Sequence, residues 1–280
     1  DLGLESFSGP NLEGLTAEEM ENLTLVAIQF GTWEITLNPV HDDDSPYIVT
    51  VDGVEYFNPF AIRKVRFAMN FLINRTYMVE EILGGDGVPA LSAIESFSPL
   101  IDKFEEVHAE LGLTPDGNEQ LGLQMIDEAL TEAAEQLGGR LVKVENESSP
   151  AGYWWTFDGE PVTVKFYIRI DDRRYDEGHY VADLLERAGI KVERIEAYFL
   201  TCVYAVYFSD PADYQWNLYT AGWGSTSYTI YTTEEGSLAW FYSPMYGFVP
   251  AYQPDGWWEL QNETIDSLAQ EILSGSITSE

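Results

Sequence analysis

Cysteine is almost absent from this chain of 280 residues. Cys202 is its single cysteine, so no disulfide can form within the chain. It lies in the apolar run FLTCVYAVYF, which predicts a buried and unreactive thiol. Positive charge is also scarce, with 14 Lys and Arg against 48 Asp and Glu, a net charge of −34. Such a charge repels nucleic acids and anionic lipid surfaces, so we exclude both as partners.

Long apolar runs and enzyme motifs are missing too. No stretch reaches the roughly 20 apolar residues that span a bilayer. The first residue is not Met and no signal peptide follows it, so we expect a processed or trimmed chain. The sequence lacks H-E-x-x-H, G-x-S-x-G and G-K-[ST], and Gly222-Trp223-Gly224 does not continue into a dinucleotide pattern. We therefore predict a protein that is not an enzyme and needs no cofactor.

Aromatic and other apolar residues are plentiful. They make up 45% of the chain, including 8 Trp, 17 Tyr and 14 Phe, which is enough for a large packed core. Glycosylation sequons, N-x-S/T, occur four times, at Asn22, Asn74, Asn146 and Asn262. Their number favours a glycosylated extracellular protein, and the acidic composition fits an exposed surface.

The order of predicted elements indicates an α/β fold. Residues 16–23 form a helix with a Thr16/Glu19 capping box, and residues 23–30 form a strand. Residues 47–57 form a hairpin around Asp52-Gly53. Helices follow at 102–112 and 119–139, and a strand at 140–145. Residues 153–197 then give strands around an Asp158-Gly159 turn and a β-α-β unit. A strand at 216–223 and helices near 234–243 and at 263–274 complete the pattern.

The scarce positive charge is concentrated in residues 57–85, FNPFAIRKVRFAMNFLINRTYMVEEILGG. We predict one helix, with Asn58 as its N-cap and Pro59 as its first residue. An apolar stripe of Ile62, Val65, Met69, Leu72 and Ile73 would face the core. The cations Arg63, Lys64, Arg66 and Arg75 would then face outward, paired with Glu80, Glu81 and acids of neighbouring elements. We prefer this structural role to an anion-binding site.

The same stretch, continued through GDGVPA, resembles the N-P-…-V-R-x-A-…-I-x-R-…-G-x-G-x-P-A block of the peptide/nickel family of ABC-transporter solute-binding proteins. EPVTVKFYIRIDD with VADLLERAGIKVE is similar to that family's later strand–helix–strand, and YTAGWGSTSY to its Gly-Trp strand at the ligand cleft. The style of residues 153–197 looks archaeal. These matches run in the family's order from about residue 25 to 273.

The resemblance implies a type II periplasmic-binding-protein-like fold, with mixed sheets flanked by helices. Family members usually exceed 450 residues, so the chain would lack part of the first lobe. We expect residues 1–57 to continue from that lobe, residues 58–197 to form the second α/β lobe, and residues 198–280 to cross over and return. Peptide-binding members carry an acid after the Gly-Trp motif that pairs with the peptide's amino terminus. Ser225 and its neighbours replace that acid here, which argues against a cation clamp at this position.

The predicted ligand site lies directly after a strand, where crevices open in α/β sheets. It combines aromatic and hydroxyl side chains, as binding clefts do; the residues are Tyr219, Trp223, Ser225, Thr226, Ser227 and Tyr228. The pairs Trp154-Trp155 and Trp257-Trp258 would each place one ring inside and one outside. The acidic run HDDDS at 41–45 could attract calcium, but it lacks the glycine and distal glutamate of a calcium loop, so we predict no metal site.

Two functions follow from these observations. The first is an extracellular, cell-surface-associated receptor of an ABC importer, which closes its lobes over a peptide or saccharide and presents it to a membrane permease. Exposed tryptophans beside hydroxyls give the saccharide weight. The alternative is a structural protein, a receptor-like subunit that self-assembles into an extracellular filament or surface layer. Aromatic and acidic surface residues and the missing first-lobe segment favour that alternative.

Overall fold

The computed structural model describes residues 15–21, 31–92, 94, 101–224, 239, 243 and 263–274. In these ranges the helices are α1 (Ala17–Glu21), α2 (Arg63–Leu72), α3 (Ile101–Glu110), α4 (Glu119–Gln136), α5 (Arg174–Arg187), α6 (Phe199–Tyr207) and α7 (Glu263–Leu273). The strands are β1 (Gly31–Leu37), β2 (Ile48–Val51), β3 (Val54–Phe57), β4 (Leu141–Glu145), β5 (Tyr153–Phe157), β6 (Glu160–Pro161), β7 (Thr163–Arg169), β8 (Lys191–Ala197) and β9 (Leu218–Gly224).

A mixed sheet of four strands, in the order β1-β9-β7-β8, organises the molecule. Strand β7 runs parallel to both β8 and β9, whereas β1 is antiparallel to β9. The predicted β-α-β unit is confirmed as β7-α5-β8. Because side chains alternate along a strand, β7 and β9 contribute to two cores. Val164, Phe166 and Ile168 pack against α5, while Tyr219 and Ala221 pack against Cys202 and its neighbours on α6.

The hairpin prediction is confirmed by β2 and β3, which pair as Val51↔Val54 and Ile48↔Phe57. Asp52 and Gly53 both have positive φ, 52° and 80°, as a two-residue hairpin turn of this hand requires. The capping box is also confirmed, since the Thr16 N–H donates to Glu19 Oε2 at 2.8 Å and the Glu19 N–H to Thr16 Oγ1 at 3.3 Å. Cys202 is buried as predicted, and burial raises the pKa of its thiol to about 11.

The cationic stretch is not one helix, contrary to the prediction. Asn58 does cap with its side chain, accepting from the Phe60 N–H at 3.1 Å, but it caps a 3₁₀ turn, Pro59–Ala61. Helix α2 ends at Leu72, because Ile73 is extended and the Asn74 side chain accepts from the Tyr77 N–H at 2.8 Å, which caps a new turn. A π-helical turn, Met78–Ile82, follows. The predicted apolar stripe is buried as expected.

The cations of this stretch do not all point outward. Arg66 donates to the carbonyls of Phe60 and Ala61 at 2.6 and 3.0 Å, and Arg75 to the carbonyl of Asn70 at 3.1 Å. Burial lowers the pKa of both guanidinium groups. Lys64 pairs with two acids of the neighbouring α4, Glu128 and Glu132, which confirms the predicted pairing with acids of neighbouring elements, although Glu80 and Glu81 are not its partners. The structural role is therefore supported, although two of the cations act as donors to backbone carbonyls.

The tryptophan prediction is wrong for Trp154-Trp155. Both rings are buried, at 7% and 3% exposure, because both faces of β5 are covered: all four residues Trp154–Phe157 are buried. The pair Trp257-Trp258, the strand predicted at 23–30 and nearly all of the helix predicted near 234–243 lie outside the described residues. Two elements were not predicted from the sequence: strand β1 and helix α6.

The acidic run at 41–45 has a local structural role. Asp42 accepts from the Thr50 hydroxyl at 2.6 Å and from the Thr50 N–H at 3.2 Å, which ties this loop to β2. Across the described residues, no group of three or more His, Cys, Asp and Glu side chains is arranged to hold a metal ion.

Candidate functional site

The candidate site lies where β7 and β9 end, beside the first residues of α5. Parallel β7 and β9 end at Arg169 and Gly224 on the same edge of the sheet, and antiparallel β1 begins there at Gly31. Helix α5 begins at Arg174, four residues after Ile170. Edges of this kind form the ligand crevice in open α/β sheets. We call this region, Gly31–Glu34, Arg169–Glu177 and Tyr219–Gly224, the sheet edge.

Trp223 is held by a carboxylate of the neighbouring strand. Its indole N–H donates to Glu34 Oε1 at 2.9 Å, and the Thr36 hydroxyl donates to the same oxygen at 3.1 Å. The ring lies 5.6 Å from the ring of Tyr207 on α6. Burial raises the pKa of Glu34, and the two hydrogen bonds oppose that rise. Trp223 is therefore fixed in orientation and half-buried at the sheet edge.

The other predicted ligand residues divide into two groups. Tyr219 is buried, with its ring 6.0 Å from Tyr207, and burial raises the pKa of its hydroxyl to about 12. Its side chain packs behind Trp223 in the α6 core. Ser225, Thr226, Ser227 and Tyr228 lie outside the described residues.

A second tryptophan, Trp33, stands at the same edge on the α5 side of the sheet. It pairs with Gly222 of β9 and is 41% exposed. The Arg174 guanidinium carbon lies 4.6 Å from the centre of its ring. A Cβ on Gly222 would come within 2.5 Å of Arg174 Nη1 and 2.9 Å of Trp33 Cδ1. Gly222 therefore leaves the space in which the guanidinium and the indole stack.

Arg174 is itself held by Asp172. Its Nε and Nη2 donate to the two carboxylate oxygens of Asp172 at 2.9 and 2.5 Å, a bidentate pair that fixes the guanidinium plane. Burial alone would raise the pKa of Asp172, but the hydrogen bonds from Arg174 outweigh it and hold that pKa below its ordinary value. The ring of Trp33 is thus backed by a rigid ion pair.

Glu177 lies one turn into α5 and is only 3% exposed. Among the described residues, its Oε2 has no hydrogen-bond partner. Burial raises the pKa of Glu177 to about 8; the Arg174 charge opposes this, and the charges of Asp172 and Glu34 add to it. This carboxyl group is therefore mostly protonated at neutral pH.

Comparison with known proteins decides the family. The model of bacterial extracellular solute-binding proteins, family 5 (middle), matches residues 15–244. The chain belongs to this family. A search of curated proteins found no match.

Several solved structures share the fold of this family 5 protein. One is a periplasmic oligopeptide-binding protein of an oligopeptide ABC transporter from Thermotoga maritima, bound to mannohexaose, with TM-score 0.60 and 15% identity over 94% of this chain and 42% of the other. NikZ from Campylobacter jejuni, in complex with Ni(L-His), gives TM-score 0.52 and 12% identity over 86% of this chain and 38% of the other. The chain thus spans about two fifths of these neighbours.

This similarity confirms the predicted fold class, type II periplasmic-binding-protein-like with mixed sheets flanked by helices, over a part of the family's length. The family and these neighbours are binding proteins. Within the residues described, no helix is both long enough and apolar enough to cross a membrane.

The sequons of the family 5 chain differ in setting. Asn146 is exposed in the loop between β4 and β5, and the Ser148 hydroxyl donates to its Oδ1 at 2.6 Å. Asn74 is half-buried, and its Oδ1 caps the turn at Tyr77. Asn22 and Asn262 lie outside the described residues.

Sequence reasoning missed Trp33, Glu34, Asp172, Arg174 and Glu177. A signal for the first two exists, because GTWEITL alternates apolar Trp33, Ile35 and Leu37 with polar residues, the period of a half-buried strand. No comparable signal marks Glu177 or Arg174, since acids and arginines on a helix normally face solvent.

Proposed function

We propose that this family 5 chain is part of an extracellular, cell-surface-associated receptor of an ABC importer. It captures a small solute, a peptide or an oligosaccharide, by lobe closure and delivers it to the membrane permease. The observation that carries the proposal is the aromatic sheet edge at the ends of two parallel strands, with Trp33 and Trp223 held in fixed orientations. We also propose that this receptor is of the archaeal type, because the sequence of residues 153–197 has an archaeal style.

We keep the three segments 1–57, 58–197 and 198–280 as the proposed organisation. Strand β1 comes from the first segment and β9 from the third, while β7 and β8 come from the second. Because these strands are hydrogen-bonded in one sheet, the described parts of the three segments meet in one structural unit, and lobe closure would move this unit as a whole.

Solute binding should raise the melting temperature of the protein. At a solute concentration about a hundredfold above Kd, binding stabilises by about 2.7 kcal/mol, which corresponds to a rise on the order of 5–10 °C for a chain of this size. Thermal unfolding with panels of short peptides and oligosaccharides measures this shift. We expect one panel to respond and Trp223→Ala to abolish the response.

Tyr56→Ala is the control, because this exposed tyrosine lies on the β2-β3 hairpin, away from the sheet edge. It should respond to the solute like the wild type. The receptor proposal would fail if no peptide or oligosaccharide changed the melting temperature, or if Trp223→Ala bound as tightly as the wild type.

The second candidate function, self-assembly, is favoured by the outer face of α6. This face, formed by Tyr198, Leu200, Tyr204 and Phe208, is between 59% and 67% exposed. Residues 197–209 contain no charged side chain, in a chain of net charge −34. A helix that is apolar all round is normally covered.

We propose that a second copy of this chain covers the outer face of α6. Because that face carries no charge, two copies can meet there without bringing carboxylates together. Four such side chains offer on the order of 500 Å² per copy. The total, about 1,000 Å², lies at the lower limit for a specific interface, so the dimer should be weak.

Sedimentation equilibrium at about 0.1 M and about 2 M NaCl tests this dimer. High salt shortens the Debye length to about 3 Å or less and so reduces repulsion between copies, which should strengthen association. Tyr204→Glu or Leu200→Glu should leave a monomer at both salt concentrations. Val107→Glu is the control, because it also replaces an exposed apolar side chain with an acid, but on α3. This variant should still dimerise. A wild-type protein that stays monomeric at millimolar concentration and high salt would rule the dimer out.

We also propose glycosylation of the predicted sequons. Exposure favours Asn146, whereas Asn74 is half-buried between α2 and the turn that it caps. Peptide mapping of the protein from its native source distinguishes the two positions.

A further inference from the structure

Strand β4 borders the sheet β4-β5-β6, and no strand among the described residues pairs with its other side. The carbonyl of Arg140, before β4, and the N–H of Asn146, after it, both bond to backbone groups that flank β5. Because bonding directions alternate along a strand, the backbone groups of every second residue between them face away from β5. These residues are Leu141, Lys143 and Glu145. We call this open row, which can template a strand of another chain, the β4 edge.

The surface beside the β4 edge is apolar for so acidic a protein. Val142 and Val144 lie on the same face of β4 and are 42% and 46% exposed. Proteins often guard such an edge with a lysine. Lys143 has the right position, but its ammonium group pairs with Asp127 and lies 4.8 Å from the centre of the Tyr153 ring. The lysine is therefore held against its own chain and guards the edge poorly.

The β4 edge is complementary to the same edge of a second copy. An antiparallel pair centred on Lys143 would place Val142 of each copy opposite Val144 of the other, and cross-strand contacts between β-branched residues are favourable. Glu145, whose carboxylate has no partner among the described residues, would lie diagonally from Lys143 of the other copy. The net charge of −34 opposes this pairing, but salt screens it. The edge therefore needs a cover if copies are to stay apart here.

Asn146, the first residue of the sequon Asn-Glu-Ser, directly follows β4 and is exposed. The Ser148 hydroxyl donates to its Oδ1 at 2.6 Å, so the amide nitrogen that would carry a glycan stays unengaged by the described residues. By strand alternation, the Asn146 side chain lies on the same face as Val144 and Val142, about 7 and 14 Å away along the strand.

We propose that an N-glycan on Asn146 covers these two valines and closes the β4 edge to a second copy. The proposal rests on the glycosylation proposed above and gives that glycan a function. A glycan is bulky and hydrated, so it obstructs an approaching strand. The C–H faces of its sugars can also pack on the valine side chains through dispersion.

Sedimentation equilibrium of the full chain at about 2 M NaCl, produced in a host that glycosylates Asn146, tests the proposal. All variants carry Leu200→Glu, which removes the α6 contact, so that association reports on the β4 edge. We expect this glycosylated background to be monomeric. Adding Asn146→Gln, or Ser148→Ala, which removes the sequon but keeps the asparagine, should strengthen association by about tenfold or more.

A further substitution identifies the surface through which the unglycosylated copies meet. Glu145→Pro removes an outward N–H without removing a hydrogen bond to β5, and proline is tolerated at such positions of edge strands. It should restore the monomer in the Asn146→Gln chain. Glu145→Gln is the matched control, because it changes the same side chain but keeps the N–H, and it should still associate. Circular dichroism establishes that each variant is folded.

The outcomes separate this guarding role from glycosylation itself. If peptide mapping finds the glycan on Asn146 but the Asn146→Gln chain stays monomeric, the guarding role is overturned and glycosylation stands. Association that survives Glu145→Pro occurs through another surface and also overturns the role. If mapping finds Asn146 unmodified in the protein from its native source, glycosylation at this position and the guarding role both fail.

Discussion

Replacement of Asn58 by alanine is expected to lower the free energy of unfolding by on the order of 4 kcal/mol. Asn58 is fully buried, and its side-chain amide donates to the carbonyls of Asn38 and Val40, each at 2.9 Å. Its oxygen accepts from the Phe60 N–H at 3.1 Å. Alanine leaves these three buried backbone groups without their partner, and each unsatisfied group costs about 1–3 kcal/mol.

The effect should be large because Asn58 belongs to a buried asparagine network. Asn217 donates to Asn58 Oδ1 at 3.4 Å and accepts from the Lys165 N–H at 2.8 Å, while Asn38 donates to the carbonyls of Pro211 and Trp216 at 3.1 and 3.0 Å. All three asparagines are 0% exposed. The network joins the end of β1, the start of the α2 region and the start of β9, and networks of this kind cost most when only partly satisfied.

Urea unfolding followed by circular dichroism measures the loss. Asn118→Ala is the matched control. The Asn118 side chain caps α4 by accepting from the Leu121 N–H at 3.1 Å, and this hydrogen bond is exposed to solvent. We expect about 1 kcal/mol for that exposed cap. Equal losses at the two asparagines would contradict the role assigned to the buried network.

The second large effect concerns Glu177 and pH. Its folded-state pKa, about 8, lies above the ordinary value of a glutamate, so the folded protein keeps a proton that the unfolded chain has already released. The stabilisation linked to this proton is complete below pH about 4.5 and is lost as the pH rises through about 8. Glu177→Gln removes the ionisation. The stability of the variant relative to the wild type should therefore increase by on the order of 3 kcal/mol between pH 5 and pH 9.

Thermal or urea unfolding of both proteins across this pH range tests the prediction. The test uses the change in relative stability between pH 5 and pH 9 rather than the stability at a single pH. The amide of glutamine has its own hydrogen-bond cost, which is the same at every pH. Glu80→Gln, at an exposed position of the π-helical turn, is the matched control and should preserve the wild-type pH profile. Parallel profiles for wild type and Glu177→Gln would show that Glu177 ionises normally in the folded protein.

Local rules were sufficient for most of the secondary structure. The Thr16/Glu19 capping box, the Asp52-Gly53 hairpin and the β7-α5-β8 unit depend on residues close together in the sequence, and all three are found as predicted. Helix α6 was missed for an equally local reason. FLTCVYAVY is apolar on every side, so it has no 3.6-residue period that would distinguish a helix from a strand.

The candidate site was predictable only in part. The family resemblance identified the Gly-Trp strand, and the α/β pattern predicted a crevice at the end of that strand. Trp223 does lie at the sheet edge. Tyr219 lies on the same face of β9 as Trp223, and only the packing against α6 showed that Tyr219 is buried while Trp223 is half-buried. Trp33 and Arg174 are 141 positions apart in the sequence, and their stacking depends on Gly222 of a third element.

By itself, the sequence determined the α/β class, the family, the acidic surface and the single unreactive thiol, since each depends on composition, ordered motifs or short-range periodicity. Tertiary structure alone decided which polar groups are buried. It joined Asn38, Asn58 and Asn217 in one network, turned Glu177 inward without a hydrogen-bond partner on Oε2 among the described residues, and backed Trp33 with the Arg174–Asp172 pair. Burial and pairing depend on which residues from distant parts of the chain come into contact, and no local sequence pattern specifies those contacts.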